Sequence, residues 1–242
     1  MVAGLLSYHN SLSGPLVFDD HLSITENPTL RSISSAWVPP RGQGATVEGR
    51  PLLNVSLAAS RALSPTGTVG FHAVNLGIHL AAALALFGLT RRTLSLPNLH
   101  PALRAQALPV SASIALLWVV HPLQTESVTY IVQRAESQMG LFFLLTLYGF
   151  VRGCEPAPHS RRWVWFATAT CLMGAATKEV MVAAPVMAWL YDRTFIAGSF
   201  GAAWRIRWRS YLGLFSSWLV VAALVWSAGS RGGTVGFSAQ VD

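Results

Sequence analysis

Apolar residues in this chain fall in long runs, and the polar breaks between the runs carry most of the arginine. A helix needs about 20 apolar residues to cross about 30 Å of hydrocarbon. Val69 to Leu89 and Tyr211 to Ala228 each meet that length. Residues 107–151 and 163–195 are too long for one span, and polar residues interrupt each of them. Arg104 and Arg152 flank the first stretch; Arg161, Arg162 and Arg193 flank the second. Membrane proteins concentrate such residues on the inner side. A hairpin puts both flanks inside, whereas a single crossing would leave one outside. The pattern therefore predicts seven spans: a partial one near 2–17, then 69–90, 107–120, 130–151, 163–177, 180–195 and 211–229.

The polar segment 18–68 then becomes the first extracytoplasmic loop, and residues 1–242 read as a single membrane domain. Within the loop, LLNVSLAASRAL predicts a short amphipathic helix lying on the membrane. Trp163 to Thr177 is 15 residues, roughly 22 Å at helical rise. That is shorter than the hydrocarbon is thick. The Lys178-Glu179 turn is thus expected below the outer surface, at the floor of a recess. The same reasoning applies to 107–120, which ends at His121-Pro122. Irregular backbone at such depth must be covered by protein or line a wet cavity.

Composition agrees with an all-α integral membrane protein. The 242 residues are 52% hydrophobic and 11% charged, against about 25% charged in soluble domains. The net charge of +7 does not point to nucleic acid, because the arginines sit between apolar runs as inner-loop arginines do. The bilayer is the expected partner. Cys154 falls in a basic loop and Cys171 in mid-span, so no disulfide is expected, and neither CxxC nor HExxH occurs. A role for a divalent metal stays open. MVAGLLSYHNSLSGPLVF lacks a basic secretory leader and reads as the last part of a first membrane helix. SAQVD at the other end reads as an interruption, so the chain is expected to be a piece of a longer protein.

Under this topology the unusual polar residues gather at the outer end. Lys178, the one lysine of the chain, lies inside an apolar run and is followed by Glu179. Charges in such runs usually face a protein interior or a water-filled cavity. A lysine is a competent point charge for phosphate, although it can also snorkel from a helix end. Asp19 and Asp20 follow PLVF directly; adjacent carboxylates can act as base or metal ligand, or cap a helix. HPLQTESVTYIVQRAES carries His121, Glu126, Arg134 and Glu136. On one helix Glu126 and Arg134 would share a face. Arg134 suits a phosphate through its forked guanidinium, or a structural ion pair with Glu126 or Glu136. His72, Asn75 and His79 form a stripe on one face of the second span, where hydrogen bonds between helices are the favoured role over catalysis. Arg231, after the last span, completes the outer set.

FDD, ITENPTL, GRPLLNVSLAASRAL, FHAVNLGIHLAAALALF, HPLQTESVTYIVQRAES, TKEVMVAAPVMAWLYDRTF and SRGGTVGF, in that order, resemble the membrane portion of the transmembrane and tetratricopeptide-repeat-containing family. Its animal members are O-mannosyltransferases, and it has bacterial homologues. The resemblance implies a GT-C-like helical bundle that moves a sugar, mannose in the animal enzymes, from a polyprenyl-phosphate donor. The acceptor would be a protein or glycan hydroxyl on the extracytoplasmic side, here the periplasmic face of a bacterial inner membrane. It maps the catalytic carboxylate of the first outer loop onto Asp19 or Asp20. Lys178 and Arg134 are then the candidates for the donor phosphate, with His121, Glu126, Glu136 and Glu179 in support. The short first helix, the missing later helices and the absence of repeats depart from the family, so this piece alone need not be active. Two other readings compete: a non-catalytic membrane scaffold for a tetratricopeptide-repeat array, and a transporter. The transporter ranks last because the charges gather at one face and no internal repeat is seen.

Overall fold

The helices end where polar residues interrupt the apolar runs. A computed structural model describes residues 1–227. Arg231, SRGGTVGF and the end of the seventh expected span lie outside the described residues. The regular structure of the described residues is all helical, in the order α1 (Val2–Tyr8), α2 (Ile33–Ala36), α3 (Pro51–Leu63), α4 (Val69–Leu94), α5 (Pro101–Ala105), α6 (Ala107–Val119), α7 (Thr125–Thr129), α8 (Arg134–Cys154), α9 (Ser160–Ala175), α10 (Ala183–Phe195) and α11 (Phe200–Ser227). Short 3-10 and π turns link several of them.

Both expected breaks in the helices are present. α6 stops at Val119, and Pro122 then opens a 3-10 turn at its first position, where a missing N–H costs nothing. α9 stops at Ala175, Lys178 is extended, and a 3-10 turn leads into α10. By length and composition α4 and α11 can each cross a membrane. A third candidate is α6 joined across a 53° bend to residues 122–129.

α4 packs between α6 and α8, α9 lies against α8, and α11 covers α9 and α10. The α8–α9 approach is close at Gly149, where an added Cβ would stand 3.1 Å from the main-chain nitrogen of Ala167. Small residues allow such contact between membrane helices. α11 kinks at Arg207, whose guanidinium holds the fully buried Asp192 of α10 at 2.8 Å. Beyond the kink, Trp208 and Trp226 are 18 residues apart and exposed. That is about 27 Å of helix, close to the spacing of the two aromatic belts at a bilayer's surfaces.

The loop between α1 and α4 folds into a second core of Leu30, Val47, Leu53 and Leu57 with Phe71 of α4 and Ile131. This corrects one expectation. α3 forms where LLNVSLAASRAL predicts it, but Leu53, Leu57 and Ala58 bury against this protein core instead of resting on lipid. Asn54, wholly buried, ties the loop together by donating to Thr29 and the Ala36 carbonyl and accepting from Asn27.

Candidate functional site: the acidic turn and the lysine hairpin

The FDD turn separates its two carboxylates. Asp20 is fully buried. One of its oxygens accepts from the Val17 N–H at 3.1 Å and the other from the Val132 N–H at 2.8 Å, fixing the loop to the approach of α8. Burial pushes the Asp20 carboxyl above its ordinary value, and these main-chain donors oppose the rise. Asp19 is exposed. Its N–H donates to the Tyr130 hydroxyl at 3.0 Å, and its carboxylate accepts from Thr46 at 3.4 Å. Phe18 just before it has φ +45° and is 84% exposed. A non-glycine residue held there stores strain, and such strain gathers at functional sites.

The lysine hairpin meets the same end of the bundle. Lys178 pairs with Glu136 in the first turn of α8, and Glu179 pairs with Arg50 at 3.2 Å. Arg50 also donates to the carbonyl of Thr46, the residue that touches Asp19. A run of polar contacts thus leads from Asp19 through Thr46 and Arg50 to Glu179, next to Lys178. Glu136 lines a recess of about 410 Å³ between α4, α6 and α8, with Gln124, Ser127, Trp118 and Val180 also on its wall. Asp19 and Asp20 do not line it.

Other expected site residues are placed differently. Arg134 is fully buried. It donates to Asn75 at 2.6 Å, and at 2.8 Å to the Ser56 carbonyl, the Ser60 hydroxyl and the Phe71 carbonyl. It therefore clamps α3, α4 and α8 together and does not face a phosphate opening. It is also not on one helix with Glu126, because α7 ends at Thr129 and a 3-10 turn intervenes. Glu126 is exposed and accepts from Gln133 at 3.1 Å; Glu136 goes to Lys178. Neither carboxylate pairs with Arg134. His121 is exposed and caps the turn that follows, its ring accepting from the Leu123 N–H.

The α4 stripe has its expected packing role. His72 reaches the Gly14 carbonyl at 3.1 Å, Asn75 the carbonyls of Val128 and Ile131, and His79 the Val119 carbonyl at 2.9 Å. Sequence reasoning did not single out Arg50, Tyr130 or Phe18. Arg50 stands in the GRPLLNVSLAASRAL block, and its place before Pro51 at the start of α3 was the available signal. Among the described residues no three His, Cys, Asp or Glu side chains come together to hold a metal ion.

No protein-family model matches the chain, and no solved structure matches it. Curated relatives do. Protein O-mannosyl-transferase Tmtc3 of Drosophila melanogaster is 29% identical over 189 residues, covering 70% of this chain and 20% of that protein. Protein O-mannosyl-transferase TMTC4 of Homo sapiens is 30% identical over 182 residues, 66% of this chain and 24% of that protein. Protein O-mannosyl-transferase TMTC2 of Mus musculus is 28% identical over 202 residues, 78% and 23%. The chain therefore spans about a fifth to a quarter of the length of the curated relatives it matches. The likeness carried by its sequence blocks is a likeness to the protein O-mannosyl-transferases, within one stretch of those longer proteins.

Proposed function

We propose that the chain is part of a membrane glycosyltransferase that moves a sugar, mannose by analogy with the relatives' names, from a polyprenyl-phosphate donor to a protein or glycan hydroxyl. The single observation that carries the reading is the split acidic turn, in which a strained Phe18 presents an exposed Asp19 beside the buried, doubly held Asp20. Asp19 serves as base and Asp20 positions the turn. As the acceptor oxygen bonds to the anomeric carbon, Asp19 takes its proton. The bond from that carbon to the phosphate oxygen breaks, and the electron pair leaves with the phosphate. Lys178 meets that growing charge after exchanging Glu136 for the phosphate. A fixed cation aimed where charge develops is an effective catalytic device.

The same reading makes residues 1–242 one membrane domain of seven GT-C-like spans, with 18–68 outside and the site facing the periplasm of a bacterial inner membrane. Its support is arginine placement: Arg91, Arg92, Arg152 and Arg161 lie at the opposite end of the bundle from Asp19 and Lys178. His121, Glu126 and Glu179 line the outer end as supporting polar groups.

A non-catalytic scaffold for a repeat array is the second reading. It is favoured by the ion pairs Lys178–Glu136 and Arg50–Glu179, which by themselves brace the hairpin against α8 and α3. Lys178→Gln in the full-length protein separates the two. The transferase reading expects a mannosyl-transfer rate with polyprenyl-phosphate mannose lowered by about 10²-fold or more, with the protein still folded. The scaffold reading expects a lower melting temperature and no transfer by the wild type.

A further inference from the structure

A groove of about 940 Å³ lies between α4 and α8 at the other end of the bundle. α4 and α8 touch at Gly88, where an added Cβ would stand 2.8 Å from the Tyr148 ring. Beside that contact, Ala81, Leu84 and Leu145 form an apolar floor. The mouth is basic. Arg92 pairs with Glu155, and Arg152 lies 3.5 Å from the same carboxylate. Arg91 is exposed, and its side chain has no ion pair among the described residues. Two guanidinium groups therefore share one carboxylate, and Arg91 beside them adds a third positive charge.

We infer that this groove binds one anionic glycerophospholipid, its phosphate on Arg91 and one acyl chain along the apolar floor. Two features fit that occupant. The excess positive charge at the mouth calls for an anion. From Arg91 to Ala81 is ten residues, about 15 Å of helix, which is the depth of one leaflet of a hydrocarbon core about 30 Å thick. Basic pockets between membrane helices bind acidic headgroups by this combination. The site lies away from Asp19 and Lys178 and does not depend on the transferase reading.

The test is native mass spectrometry of the full-length protein, released from nanodiscs with equal amounts of phosphatidylglycerol and phosphatidylcholine. The wild type is expected to retain one phosphatidylglycerol in preference to phosphatidylcholine. Arg91→Gln should lower that preference about fivefold, and Arg91→Lys should keep it. Ala81→Phe, which fills the floor, should release both lipids while the protein still elutes as a single species. Equal retention of the two lipids by the wild type, an unchanged preference in Arg91→Gln, or a groove that retains no lipid because another segment of the protein covers it would each overturn the proposal.

Discussion

Arg134 shows how much one residue can decide. Its guanidinium binds a side chain of α4, a carbonyl of α4, and a carbonyl and a hydroxyl of α3. Removing it leaves buried oxygens without donors, which is expensive away from water. Arg134→Met should lower stability on the order of 3 kcal/mol, measured as a drop in melting temperature in detergent with no separate effect on donor KM. The sequence showed an arginine and two nearby glutamates, and near neighbours are the natural partners to suspect. The real partners are 59 and 74 positions away. Asn75, a polar residue in an apolar helix, was the visible half of that contact.

Asp20 is the other residue whose setting fixes its chemistry. Its folded carboxyl is raised above 3.8 by burial, so the folded state binds a proton more readily than the unfolded chain. Its contribution to stability is fully present below the unfolded value and is lost as pH rises through the folded one. The wild type should therefore lose melting temperature across that window relative to Asp20→Asn, whose side chain does not titrate. Thermal melts of both proteins as a function of pH check this, and parallel curves would contradict it.

At the scale of elements, the helices and their breaks were the legible part. Proline at 122 and charge at 178–179 cannot continue a helix through lipid without cost, and α6 and α9 end just before them. The fate of α3 was not legible. An amphipathic helix carries the same stripe whether lipid or protein covers it, and only the folded loop shows that Phe71 and Ile131 do. The α8–α9 contact depends on Gly149. Gly149→Leu would drive a side chain into the backbone at Ala167, so a loss of about 1–3 kcal/mol is expected. A melting temperature equal to the wild type's would show that the two helices do not pack as described.

For the whole molecule, charge sorts by end. Asp19, Glu136 and Lys178 stand at one end, and Glu155 stands at the other among arginines. Arginine placement in the breaks between apolar runs made that sorting readable. That Asp19 is exposed and Asp20 buried was not readable, since two adjacent identical residues differ only in what the fold places around them. The same holds for Arg50, one of sixteen arginines until Thr46 and Glu179 are brought to it.

On the proposed mechanism Asp19 takes the acceptor's proton and the rest of the turn holds it in place. The most direct measurement is the rate of mannosyl transfer from polyprenyl-phosphate mannose by full-length Asp19→Asn in reconstituted membranes. Because Asp19 is exposed, the melting temperature should stay at the wild-type value while the rate falls about 10²–10⁴-fold, the usual scale for loss of a general base. Transfer at the wild-type rate by a normally folded Asp19→Asn protein would contradict the account.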